Sequence, residues 1–156
     1  MIGVVEHSGS RAELRALFAL AEDSEQELDA YIEAGRVLVA LDGDTIVGHL
    51  QLTDTGDPSE AEVKNTAVDP AYQRRGIGRA LMEAAIELAR ADGRSALVVA
   101  TAAADIGNLR FYQRLGFRLR AVERDAFTPA TGYEPGLLID GIELRDRVWL
   151  DRMLDA

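Results

Sequence analysis

Cysteine is absent from the 156 residues, and histidine occurs twice, at His7 and His49. The first absence excludes disulfides, thiolate zinc sites and a cysteine-bound acyl intermediate. The second leaves little material for a metal centre, and none is expected. His49 follows Gly48 in a strand-like stretch and reads as structural. Basic residues are also scarce: 17 Lys and Arg stand against 27 Asp and Glu, a formal net charge of −10. A nucleic-acid binder needs a basic footprint, so nucleic-acid partners are not expected. No apolar run approaches the ~18 residues needed to cross a bilayer. Residues 1–6 lack the basic and apolar regions of a signal peptide. The expectation is a soluble, cytoplasmic protein with no membrane partner.

What is present is an ordinary globular composition, 47% apolar and 28% charged, at a length that suits one core and one domain over residues 1–156. Residues 10–21 carry Leu14, Leu17, Phe18 and Ala21 at helical spacing, with Ser10 placed to cap the start. The acidic run that follows, residues 22–29, could line an entrance for a cationic acceptor. The preferred reading is a solvated first turn, where carboxylates favour the helix N-terminus; Leu28, Tyr31 and Ile32 mark that helix. Residues 36–41 and 45–53 read as strands joined by an Asp42-Gly43-Asp44 hairpin turn. A third strand spans residues 61–68, and a helix spans residues 76–91, ended by Gly93 as a left-handed cap. A strand at 95–100, a helix at 105–115 and a strand at 117–122 follow. Residues 128–141, with two prolines and three glycines, read as a long connecting loop, and residues 142–150 as a last strand. The order describes an α/β domain with a mixed sheet.

The strand-to-helix turn after Val68 has the makings of an anion site. The first N–H groups of a helix lack internal partners, and its dipole places partial positive charge there. Gly76 and Gly78 allow close approach of a phosphate, and Arg74, Arg75 and Arg79 add charge. A glycine pair alone is weak, and its plain alternative is a tight turn before a capped helix. A P-loop would need Gly-Lys-Ser/Thr, which is absent, and a dinucleotide fingerprint would need glycine where Leu81 stands.

What remains is Gln73-Arg74-Arg75-Gly76-Ile77-Gly78, preceded by Val68-Asp69-Pro70-Ala71-Tyr72. This run resembles the pyrophosphate-binding motif of the GNAT superfamily of acetyl-CoA-dependent N-acetyltransferases. A second match lies in Asn108-Leu109-Arg110-Phe111-Tyr112-Gln113-Arg114-Leu115-Gly116-Phe117, in the right order and spacing. The resemblance implies a mixed, mostly antiparallel sheet flanked by helices, with acetyl-CoA as co-substrate. It implies that Ala67 and Val68 meet the pantetheine arm, with the Val68 N–H facing the thioester oxygen. Gln73, Arg74, Arg75, Gly76, Ile77, Gly78 and Arg79 would hold the pyrophosphate.

The acceptor amine must be neutral to attack, and with a pKa of about 10.4 only roughly one in a few thousand is neutral at pH 7. A carboxylate base removes the proton. Glu62, six residues before Val68, lies where several family members place such a base; its alternative is an exposed carboxylate paired with Lys64. Tyr112 matches the tyrosine that the family often uses as general acid, against the alternative of an aromatic packed beside Phe111 and Phe117. One departure stands out: where many members carry asparagine, this chain has Asp105, so the pantetheine contact falls to either Asp105 or Asn108. Without cysteine, transfer would be direct. The expected acceptor is a primary amine of a small, cationic molecule, and a homodimer is allowed. The alternatives are a non-catalytic acyl-CoA-binding module and a protein or peptide N-acetyltransferase.

Overall fold

Gly43 takes the positive φ of 60° that a tight hairpin requires, and it joins β2 (Arg36–Asp42) to β3 (Thr45–Asp54). The computed structural model describes residues 1–154. Antiparallel to β3 runs β4 (Glu60–Val68), and β1 (Ile2–Glu6) lies outside β2. Beyond β4 come β5 (Ala96–Ala102), β9 (Arg147–Met153) and β6 (Arg118–Glu123), giving the order β1-β2-β3-β4-β5-β9-β6. The β4–β5 pair is parallel and the other pairs are antiparallel, the mixed, mostly antiparallel sheet that was expected. A separate two-stranded ribbon joins β7 (Leu138–Ile139) and β8 (Ile142–Glu143).

Strand alternation feeds two apolar layers. Val37 and Val39 of β2 pack with Leu14, Phe18 and Leu28, the layer of α1 (Arg15–Ala21) and α2 (Glu25–Tyr31). Leu38 and Ala40 face the other way. They join the larger cluster of α3 (Ile77–Ala91) and α4 (Ile106–Arg114), with Leu81, Met82, Ala85 and Tyr112. The α3 C-terminus closes as expected: Gly93 has φ 77°, its N–H reaches Arg90 O at 3.0 Å, and Arg94 N–H reaches Ala89 O at 2.9 Å. At the end of α2, Arg11 donates to the carbonyls of Ile32, Ala34 and Gly35, supplying partners that the helix itself cannot.

Four segments differ from the sequence reading. Residues 10–21 are not one helix: a 3-10 turn over Arg11–Leu14, capped by Ser10, precedes α1. β1 forms although five short residues carry little periodic signal, because β2 offers it an edge to pair with. The last strand begins at Arg147 rather than 142, since residues 142–143 pair with β7 instead, and it runs on to Met153. The 128–141 connection holds a 3-10 turn, Pro129–Thr131, and β7.

Candidate active site

β4 and β5 pair only from Glu60–Val63 against Ala96–Val99. Past that point β5 stays with β9 while β4 stays with β3, so the sheet splits along residues 64–68. Asp69 N–H bonds Val47 O at 2.8 Å. Strand alternation therefore turns the Ala67 N–H toward β3 and the Val68 N–H the opposite way, into the split. The Val68 carbonyl, on that same side, accepts from Gln73 Nε2 at 3.2 Å.

The turn that leaves the split is built for close approach. Asp69 Oδ1 accepts the Ala71 N–H, and Tyr72 N–H bonds Asp69 O, which winds residues 70–72 into a 3-10 turn. Arg74 and Gly76 both take positive φ, 66° and 78°. The first N–H of α3 to find an acceptor is that of Ala80, on Gly76 O at 3.0 Å, so those of residues 76–79 meet none among the described residues. Ile77 is buried and anchors the helix start. A Cβ on Gly78 would stand 3.1 Å from Phe111 Cζ, whereas one on Gly76 would meet nothing within 4 Å. Of the arginines, Arg75 lies over the Tyr72 ring at 5.0 Å and Arg79 is 3.9 Å from Glu83. Free N–H groups, flexible cations and glycine at the closest point fit a diphosphate.

Glu62 sits on β4 just before the split, its side chain largely buried, with Lys64 Nζ 4.0 Å away. Burial holds its carboxyl above the ordinary value, opposed by the charges of Lys64 and Arg147. Tyr112 is buried, edge-on to Phe111 and Phe117. Burial, aided by Asp105, pushes its hydroxyl well above the usual tyrosine range. Among the described residues, the enclosed side-chain atoms without a partner are His49 Nδ1 and Gln51 Oε1. The Tyr112 hydroxyl makes no hydrogen bond among the described residues, and the residue is 5% exposed. Asp105 spends its carboxylate capping α4, accepting the Asn108 N–H at 2.9 Å. The Asn108 side chain turns to Thr101 Oγ1 at 3.3 Å. The structure thus brings Gln73 to Arg79, Ala67 and Val68 together around the split. Glu62 lies at its closed end, and Tyr112 and Asn108 lie on α4 alongside.

On the α1–α2 side of the sheet lies a polar chain that the sequence does not disclose. Tyr133, from the 128–141 connection, donates to Glu22 Oε2 at 2.7 Å, and Tyr31 donates to Glu22 Oε1 at 2.9 Å. Asn65 Nδ2 reaches the Tyr31 oxygen at 2.9 Å, and its Oδ1 meets His49 Nε2 at 2.7 Å. Glu25 and Glu27 fit the expected first turn of α2, which Ser24 caps at Glu27 N–H. Glu22 does not: it is a half-buried acceptor for two tyrosines. His49 is structural as expected, enclosed and stacked on Phe18 at 4.2 Å, with burial driving its pKa down to about 4. Asp23, next to Glu22, has its pKa raised by partial desolvation and then by the charges of Glu22 and Asp105. Tyr133 carried no signal beyond lying in a loop.

The fold and the turn define an α/β protein with an anion-accepting helix start at the mouth of a split sheet. The chain belongs to the acetyltransferase (GNAT) family, whose model matches residues 9–117. It is 35% identical over 141 residues, 89% of each chain, to the uncharacterized N-acetyltransferase YvbK of Bacillus subtilis. Among solved structures, a Bacillus subtilis acetyltransferase in complex with CoA is 32% identical with TM-score 0.89, covering 99% of this chain and 100% of that one. A GNAT acetyltransferase from Elizabethkingia anophelis with acetyl-CoA bound is 29% identical with TM-score 0.89, covering 98% of each. Among the described residues no helix is long and apolar enough to cross a membrane.

Proposed function

We propose that the protein transfers the acetyl group of acetyl-CoA directly to a primary amine of a small, cationic molecule. The observation that carries this reading is the split between β4 and β5, with the Val68 N–H turned into it beside a helix start whose N–H groups are free. The pyrophosphate lies on residues 73–79 and the pantetheine arm runs along Ala67 and Val68, with Asn108 beside it. The Val68 N–H then faces the thioester oxygen, where charge develops as the carbonyl is attacked; losing such a donor costs about 3 kcal/mol in enzymes of this chemistry.

Glu62 takes a proton from the acceptor ammonium, directly or through water, and its raised pKa brings it closer to the pH at which it works. The amine nitrogen bonds to the acetyl carbon and gives up its second proton to solvent as the C–S bond breaks. The departing thiolate takes the proton of Tyr112, whose elevated pKa keeps it protonated as a donor. The tyrosinate regains a proton from solvent once CoA has left. The adjacent carboxylates of Glu22 and Asp23 favour a cation, and the Tyr133–Glu22 bond, which ties the 128–141 connection to the segment before α2, favours a small acceptor.

A panel of amines with acetyl-CoA, read as free CoA thiol, tests the proposal. Small diamines and cationic amines should turn over, and Tyr112→Phe should slow them about a hundredfold without changing CoA affinity. Turnover of peptide N-termini alone would replace the small-amine reading with the peptide one. Among the curated relatives, the ribosomal protein bS18-alanine N-acetyltransferase of Escherichia coli is 34% identical over 51% of this chain and 54% of its own length.

A further inference from the structure

Both edges of the sheet are strands, but they are finished differently. Ile2 and Val4 of β1 pack against the main core, whereas all six residues of β6 are exposed. Leu119 and Val122 stand 61% and 64% exposed. Their shared orientation has a cause. Leu119 lies opposite Leu150 and Val122 opposite Val148, with a bulge at Arg120 between them. Leu150 and Val148 are two apart on β9 and both face the main core. The extra residue therefore puts Leu119 and Val122, three apart, on one face. With Leu109 and Val148 they line a groove of about 280 Å³ between α4 and β6. A second groove, of about 500 Å³, continues along the outer face of α4 past Leu109 to Ile106.

An exposed edge of this kind is a template for another strand. Arg118 and Arg120 would repel most copies of so basic an edge, but one arrangement removes that repulsion. If two β6 strands meet antiparallel about a two-fold axis between Arg120 and Ala121, Leu119 falls opposite Val122. Arg118 then falls opposite Glu123. The cross-strand pairs are apolar on apolar and cation on anion in the same register. Both partners are available. The Arg118 side chain has no hydrogen bond or ion pair among the described residues. Arg147 and Trp149 both donate to Glu123 Oε1, the former as an ion pair, and Oε2 accepts no hydrogen bond among the described residues.

We propose that β6 is the interface through which two copies of this chain pair, edge to edge and antiparallel, joining their sheets into one. Facing strands of a two-fold dimer lie in the same face order, so the two Leu119–Val122 pairs form one apolar band covered by both α4 helices.

Sedimentation of the full chain over a range of concentrations tests this. The wild type should dimerise, and Val122→Lys should raise the dimer dissociation constant at least about tenfold, a change of about 1.4 kcal/mol. Val122 is exposed in the single chain, so its folding is not at risk, and circular dichroism checks that. Arg118→Glu should weaken the dimer, and adding Glu123→Arg should restore it. A monomer at every concentration overturns the proposal, as does a dimer that Val122→Lys leaves equally tight. CoA affinity, read separately, stays unchanged in Val122→Lys because β6 lies away from the split.

Discussion

The two sides of the split are made in opposite ways. At the start of α3, the seven residues from Gln73 to Arg79 hold the N–H groups of residues 76–79, which meet no acceptor among the described residues, a positive-φ glycine and three guanidinium groups. What that side presents is mostly main chain, fixed by turn geometry, with Arg75 laid over Tyr72 and Arg79 beside Glu83. On the α1–α2 side, Glu22, Tyr31, His49, Asn65 and Tyr133 converge from five separate places in the chain through hydrogen bonds of 2.7 to 2.9 Å. That side is all side chain, held by tertiary contact. A cradle for an invariant diphosphate can be local and backbone-made, whereas recognition of a particular acceptor needs side chains gathered from afar. Substitutions should therefore separate the two: backbone changes should act on CoA, and side-chain changes across the split on the acceptor and on stability.

The largest expected effect is at the point where the two sides meet. Glu62→Gln should lower kcat by about 10² to 10⁴-fold, with CoA affinity unchanged. Stability should move the other way. Burial raises the Glu62 pKa in the fold, so the unfolded chain binds fewer protons than the folded one just above the ordinary glutamate value of 4.5. Stability contributed by the protonated form is then lost as pH rises through that window. The glutamine variant should melt higher than wild type at pH 7 and lose that advantage below pH 4.5. The acid limb of kcat/KM in the wild type should lie above the ordinary glutamate value, reporting the same group. A variant that melts lower at both pH values would assign Glu62 to its pairing with Lys64.

Second in size is the protonation of His49. Its folded pKa, about 4 against 6.5 for the free side chain, means that the unfolded chain binds more protons between those values. Stability is present above pH 6.5 and is lost as pH falls toward 4, on the order of 3 kcal/mol in all. Thermal melts across that range should show the loss, and a His49→Gln variant should flatten it. An equally steep wild-type and variant profile would place the acid sensitivity elsewhere.

How much of this could be read in advance follows the same division. The strand-to-helix turn at Gln73 to Gly78 was legible as a turn because its parts are contiguous, and because a helix start needs no distant residue to present its N–H groups. The Gly93 cap and the Asp42-Gly43-Asp44 hairpin were legible for the same reason. Glu22 was misread as a solvated first-turn carboxylate, since nothing near it in sequence reveals Tyr133, 111 residues away. Residues 142–150 were read as one strand because their alternation is real. Their division between β8 and β9 depends on which partner edge each half finds.

Third, Tyr133→Phe keeps the ring that packs with Phe127 and Leu144 and removes only the bond to Glu22. A hydrogen bond to a charged acceptor is worth about 1.5 to 3 kcal/mol, and denaturant melts should show a loss of that order. The same variant should raise the KM for the acceptor and leave that for acetyl-CoA in place. A double-mutant cycle with Tyr31→Phe should be non-additive, because both hydroxyls bond the one Glu22 carboxylate. Additive losses would mean that the two tyrosines act independently and that the connection is not tied through Glu22.

The smallest effect belongs to the cradle and isolates its backbone. Gly76 has φ 78°, yet a Cβ there would meet nothing within 4 Å, so Gly76→Ala meets no steric obstacle in the protein itself. What alanine loses is only the left-handed conformation, about 1 to 2 kcal/mol. Calorimetric titration should show weaker CoA binding, because the strained turn no longer holds the N–H groups of residues 76–79 in line. Gly76→Asn, which visits the left-handed region more readily, should recover part of both losses. Acceptor KM should stay fixed in either variant. Gly78→Ala makes the contrast sharper: its Cβ would press on Phe111 and so disturb packing between α3 and α4. Should Gly76→Ala bind CoA as tightly as wild type, the phosphate is held by the arginines, and the backbone share of the cradle falls with it.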